Sequence, residues 1–135
     1  MNGRQSISIA VLTENQDDVE LINGALRDAG HAAHCHWIAS SNRLADTLAA
    51  EMVELLILNC DRYADTIRQV VKQKDRYNPE VPVIAVQKQA EEEDIDAAMR
   101  SGACDLVSIG NKNRLQSVVS RELRALRVER ALNST

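Results

Sequence analysis

Three histidines crowd one stretch of this chain, His31, His34 and His36, the last two flanking Cys35. Imidazole and thiolate are ligands for transition metals, and residues two apart on a strand project from one face, so His34 and His36 form a candidate pair. A closed metal centre needs a third and a fourth ligand, and none is spaced to supply them. The expected role is therefore a solvent-facing pair on an outer strand, with no metal. Cys35, Cys60 and Cys104 are an odd set without CxxC spacing, which argues against a disulfide framework and a thiolate zinc site; they read as small apolar residues. Glu14 and Asp61 each follow an aliphatic run alone, and one carboxylate does not make a magnesium site. Asp61 reads as a loop acid or a helix cap. The acids Glu91-Glu92-Glu93-Asp94 fall where a helix begins, so they complement its dipole and do not form a docking patch.

Composition removes further classes. Of 135 residues, 44% are apolar and 27% charged, the balance of a single globular domain long enough to bury roughly two-thirds of its unfolded surface without covalent staples. A net charge of −4 offers no field for phosphate backbones, so direct nucleic-acid binding is not expected. With no Phe, two Tyr and one Trp, the chain lacks platforms for stacking bases or sugars, and its core must be aliphatic. The longest strongly apolar run, Leu55-Leu56-Ile57-Leu58, is far short of the ~20 residues of a membrane span. Met1–Ser6 has no apolar core that could act as a signal peptide, which makes the cytoplasm the expected compartment.

The remaining groups depend on the elements that position them. Ile7–Leu12, Glu54–Leu58, Pro82–Val86 and Asp105–Ile109 are short aliphatic runs, as in strands buried on both faces of a parallel sheet, while Ala33–Ile38 alternates and suits an edge. Apolar residues recur at helical spacing in the intervening segments. These are Gln16–Ala29, Ser41–Glu51 with Leu44, Ala45, Leu48 and Ala49 inward, Arg62–Asp75, Glu91–Ser101 with Ile95, Ala98 and Met99 inward, and Asn113–Arg130. Gly30 and Gly102 stand where a positive φ ends a helix. Five strands alternating with five helices specify an α/β fold, a doubly wound five-stranded parallel sheet of order 2-1-3-4-5 and flavodoxin/CheY-like (βα)5 pattern. Its crevice opens at the carboxyl ends of strands one and three. Thr13, Glu14, Asn59, Gln87 and Ile109 are the residues expected around it. Residues 1–130 make the domain and 131–135 a tail leading to a possible output domain.

Two segments carry a family resemblance. Asn78-Pro79-Glu80-Val81-Pro82-Val83-Ile84-Ala85-Val86 and Ala97-Ala98-Met99-Arg100-Ser101-Gly102-Ala103-Cys104-Asp105 are similar to the proline-led fourth strand, and to the helix-Gly-Ala-x-Asp approach to strand five, of bacterial response-regulator receivers. The resemblance runs from Ile7 to about Arg127. It implies a phosphoryl-accepting aspartate ending strand three, two acids holding Mg²⁺ after strand one, a hydroxyl ending strand four and a lysine ending strand five. The matching positions hold Asn59, Thr13 with Glu14, Gln87 and Ile109; Gly110 stands for a proline and Leu106 for an aromatic residue. Taken residue by residue, the resemblance implies a non-catalytic pseudo-receiver without a cofactor, acting through protein partners and as a homodimer. Its contact surface would be helix four, strand five and helix five, with Leu106, Leu123 and Leu126 among the contact residues.

Two alternatives stand beside it. A functional receiver would use Asp61 as acceptor, and a flavodoxin-type small-ligand binder would need a glycine-bearing phosphate loop that Thr13–Asp18 does not provide. In the last helix the pattern continues as Ala125, Val128 and Leu132 while Arg121, Arg124, Arg127 and Arg130 take other positions, as where a receiver feeds an output domain or a coiled coil. The abrupt ending Leu132–Thr135 suggests a fragment of a longer protein. Arg121-Glu122-Leu123-Arg124 and Ala29-Gly30-His31-Ala32 resemble the degenerate N-terminal receivers of FimX-type GGDEF-EAL proteins, which handle cyclic di-GMP. A transcription-antitermination regulator is another possible parent.

Overall fold

The aliphatic run Ile7–Leu12 forms β1, and in this computed structural model, which describes residues 7–50, 52–61 and 64–133, it lies inside a sheet. β1 pairs in parallel with β2 (Ala33–Ile38) on one side and β3 (Leu55–Asn59) on the other; β4 (Val83–Gln87) and β5 (Asp105–Ser108) follow. The order β2-β1-β3-β4-β5 is the one expected from the alternation of elements. Residues of β1, β3 and β4 are almost wholly buried because helices cover both faces, whereas β2 at the edge leaves His34 and Trp37 exposed.

Alternation along the strands sorts the core into two layers. Ile7, Ile9, Val11, Leu55, Ile57, Ile84, Val86 and Val107 meet α1 (Gln16–Asp28) and α5 (Lys112–Asn133). Ala10, Leu12, Leu56, Leu58, Val83, Ala85 and Leu106 meet α2 (Leu44–Ala50), α3 (Ala64–Tyr77) and α4 (Glu92–Arg100). The expected stripe of α5 holds, with Leu115, Val118, Val119, Leu123 and Leu126 buried; on α1, Ile22, Ala25 and Leu26 are buried and Val19 half-buried, but Ala29, expected on the same stripe, is exposed because the helix ends at Asp28.

Four further details depart from expectation. A 3₁₀ turn, Ser41–Arg43, precedes α2, which is only seven residues long; Leu44 is buried but Ala49 is exposed, because so short a helix turns only one ridge inward. Met99 is 51% exposed and not inward, since Ala98 and Ala103 fill the place beneath α4 and leave no depth for a longer side chain. α5 continues to Asn133, three residues into the expected tail. Strand five ends at Ser108, so Ile109 begins the loop. The expected helix limits at Glu51 and Arg62 and the segment Met1–Ser6 lie outside the described residues.

Gly102 supplies the positive φ of +111° that stops α4, and Gly30 does the same after α1 at +87°.

Candidate functional site

The carboxyl ends of β1 and β3 open into a cleft of about 570 Å³. Thr13, Glu14, Asn59 and Ile109, four of the five expected residues, line it together with Asn15, Asp18, Ser40, Ser41, Asp61, Thr66 and Lys88. Thr13 is only 5% exposed, and its N–H donates to the Ile38 carbonyl at 3.1 Å. Its hydroxyl donates to Asp18 Oδ2 at 2.6 Å and accepts the N–H of Asn15 at 3.2 Å, and its carbonyl accepts Trp37 Nε1 at 2.9 Å.

Asn59 lies at the mouth of β3. Its Nδ2 donates to the same Asp18 Oδ2 at 2.7 Å, and its Oδ1 accepts the N–H of Asp61 at 3.1 Å. The carboxylate at the centre of the cleft thus comes from the first turn of α1, not from β3. Two donors occupy one oxygen of this carboxylate, which suits a structural acceptor better than a nucleophile. Asp18 escaped the sequence reading because an acid in a first turn is explained by the helix dipole alone. The signal that could have found it is positional: α1 begins at the crevice end of the sheet, so its first turn faces the same space as the ends of β1 and β3.

Asp61 is an exposed loop acid; its Oδ1 accepts the N–H of Lys88 at 2.7 Å and so ties the β3 end to the β4 end. Lys88 was not anticipated as a lining residue. Gln87, expected at the cleft, is not among its lining residues: its amide donates to Asp94 Oδ2 in the first turn of α4 at 2.7 Å and to the Gln89 carbonyl in the β4–α4 loop at 2.9 Å. Cys60 Sγ reaches Gln87 Oε1 at 3.8 Å, and burial, reinforced by the charges of Asp61 and Asp94, pushes its thiol up to about 11. Ile109 is half-buried against the α1 and α5 layer and carries no charge into the cleft. Among the described residues no group of three His, Cys, Asp or Glu side chains is arranged to hold a metal. His34 and His36 share a face with ring centroids 4.6 Å apart, and His36 Nε2 meets Ser8 Oγ at 3.1 Å.

The expected contact residues Leu106, Leu123 and Leu126 are 1%, 2% and 3% exposed, so they hold β5 and α5 in the core and cannot themselves meet a partner. Leu123 and Leu126 lie on the inner ridge of α5, and Leu106 lies on the face of β5 that meets the α2, α3 and α4 layer. Asp105, one residue earlier and so on the other face of β5, is itself buried, and its two oxygens bind Arg114 at 2.8 Å and Arg121 at 3.3 Å and so clamp α5 to β5. Farther along, Arg130 reaches Glu54 Oε2 at 3.4 Å, and Glu54 Oε1 accepts the N–H of Ser8. α5 is therefore docked as far as Arg130, while Ala125, Val128 and Leu132 face outward.

Comparison with solved structures gives a consistent answer. A response regulator from Thermotoga maritima superposes with a TM-score of 0.71 at 14% identity, over 89% of this chain and 99% of that one. The fold is that of CheY-like receiver domains. NtrX from Brucella abortus matches with a TM-score of 0.79 at 21% identity, over 96% of this chain but only 29% of that protein. A protein of Burkholderia pseudomallei described as pilus assembly-related matches with a TM-score of 0.70 at 16% identity, over 92% of this chain and 94% of that one. No family model matches the sequence, and no curated protein does. None of the described helices is long and apolar enough to cross a membrane.

Proposed function

We propose that this chain is a receiver-like regulatory domain of bacterial signal transduction, cytoplasmic and non-catalytic, that works by protein contact and not through an aspartyl phosphate. One observation carries the reading: at the mouth of β3 stands an amide that donates its N–H to Asp18, while an aliphatic residue, Ile109, follows β5. An amide has no anionic oxygen to attack phosphorus, and the position directly after β5 is the aliphatic Ile109 in place of a lysine that would neutralise the incoming charge. Incubation with acetyl phosphate and Mg²⁺ followed by intact mass measurement is expected to leave the mass unchanged. A stoichiometric phosphoryl adduct mapping to Asp61 or Asp18 overturns the reading in favour of a displaced acceptor. Asp61 is the stronger of those two, because it is exposed and shares the cleft with Lys88.

The partner is a second copy, paired through α4, β5 and α5. Charge segregation supports this and gives the acids at α4, expected only to complement the helix dipole, a second use as a contact patch: α5 carries six basic residues against two acidic ones in a chain of net charge −4, and Glu91, Glu92, Glu93 and Asp96 at α4 are exposed. Arg124 and Arg127 are exposed on α5. A two-fold axis at the β5 edge sets the acids of one copy against the arginines of the other. The contact residues are these charged groups with Met99 and Val128. Sedimentation velocity is expected to show a dimer that Glu92→Lys with Glu93→Lys dissociates; a monomer at every concentration overturns the pairing. The outward Val128 and Leu132 support a helix that hands on to an output domain. The motifs Ala29–Ala32 and Arg121–Arg124, and the likeness to a pilus assembly-related protein, favour a FimX-type parent over an antitermination regulator.

A further inference from the structure

Asn59 uses both ends of its amide at once, toward Asp18 with its N–H and toward the Asp61 backbone with its oxygen. Each neighbour passes the connection on. Asp18 also takes the Thr13 hydroxyl, and Asp61 Oδ1 takes the N–H of Lys88. Beside Lys88, Gln87 donates to Asp94 Oδ2, which also accepts the N–H of Glu91 at the start of α4 at 3.1 Å. Hydrogen bonds made by side chains therefore run from the first turn of α1, across the mouth of β3, to the β4–α4 loop, joined by covalent steps through Asp61, from its N–H to its carboxylate, and from Lys88 to Gln87. They join segments 41 and 27 residues apart in sequence. A carboxylate at position 59 could not close this chain, because it has no proton to give and would face the anionic Asp18.

We infer that Asn59 is the hub of an internal lock that fastens the first turn of α1 and the β4–α4 loop to β3, holding the cleft in one closed arrangement. The inference rests on the reading that the cleft accepts no phosphoryl group, and it adds to it: the amide replaces a reversible switch with a permanent internal tie. The α4 surface offered to a partner is then constant, and the domain's output is set by the concentration of partners and not by modification.

Amide hydrogen exchange on the full chain tests the lock. In Asn59→Ala, amides of residues 13–18 and of 88–94 are expected to exchange about tenfold faster, while those of β2 and the second half of α5 keep their rates. Asp61→Ala loosens 88–94 alone, and Asp61→Asn, whose amide oxygen still accepts the Lys88 N–H, keeps the parent pattern. Should Asn59→Ala fail to fold by circular dichroism, Asp18→Ala and Asp61→Ala each cut one arm and carry the same test. Unchanged rates in both segments, or a uniform rise along the chain, overturn the lock. An adduct in the acetyl phosphate experiment with the exchange pattern intact overturns the pseudo-receiver reading and with it the constant α4 surface, whereas a lost exchange pattern without an adduct overturns the tie alone, so the two failures are distinct.

Discussion

At the scale of single residues, the cleft turns on whether a side chain can donate. Asn59→Asp exchanges a donor for an anion facing Asp18, where 2.7 Å now separates Nδ2 from Oδ2. Without divalent cations the variant is expected to lose roughly 1–3 kcal/mol, and millimolar Mg²⁺ restores most of it because two carboxylates then share one cation. Thermal melting with EDTA and with Mg²⁺ checks this, and a variant that melts like the parent in EDTA contradicts the contact. Cys60 gives a second expectation. Its thiol is raised from 9.0 to about 11 by burial, so the folded state favours the protonated form. That contribution is full below the ordinary thiol value and is lost as pH rises through the folded one, so stability declines between pH 9.0 and about 11. At neutral pH the native protein should react with iodoacetamide far more slowly than after unfolding, which a timed alkylation would show. Residue types at the cleft were legible in the chain because they end aliphatic runs. Their partners were not: Asp18 and Lys88 enter by proximity that only folding creates, and Gln87 turned away toward an acceptor seven residues on.

At the scale of elements, two glycines behave oppositely. Gly24 sits inside α1 without a positive φ, and a Cβ there would meet nothing within 4 Å. Gly24→Ala is therefore expected to stabilise by about 0.5–1 kcal/mol, read as a higher denaturation midpoint. Gly102 combines φ +111° with a Cβ position 3.0 Å from Val71 Cγ1, so Gly102→Ala should destabilise by about 1–3 kcal/mol, and an unchanged midpoint would show that the turn relaxes easily. Strand and helix identities were readable because short aliphatic runs and helical stripes differ in period. Inward residues at element ends were read less well. Ala49 and Met99 fit a helical stripe by spacing, but α2 and α4 have only seven and nine residues, and a short helix buries a narrower strip than its sequence pattern suggests.

At the scale of the whole molecule, charge is unevenly placed, with exposed acids at the start of α4 and arginines along α5. Pairing driven by that arrangement should weaken steadily with added salt, since exposed charges are screened over about 10 Å at 0.1 M ionic strength. Sedimentation across a salt series reads this directly, and a salt-independent dimer would point to an apolar interface instead. The amino-acid order by itself determined the alternation of strands and helices, the buried character of β1, β3 and β4 and the loss of an acid from the end of β3, because those depend on local period and residue type. Only the tertiary structure decided which side chains meet. Leu106, Leu123 and Leu126 became core, Asp105 became a buried clamp for α5, and Asn59 became a donor between two acids. Hydrogen bonds across tens of residues of chain depend on where the backbone brings their ends, and no local pattern encodes that distance.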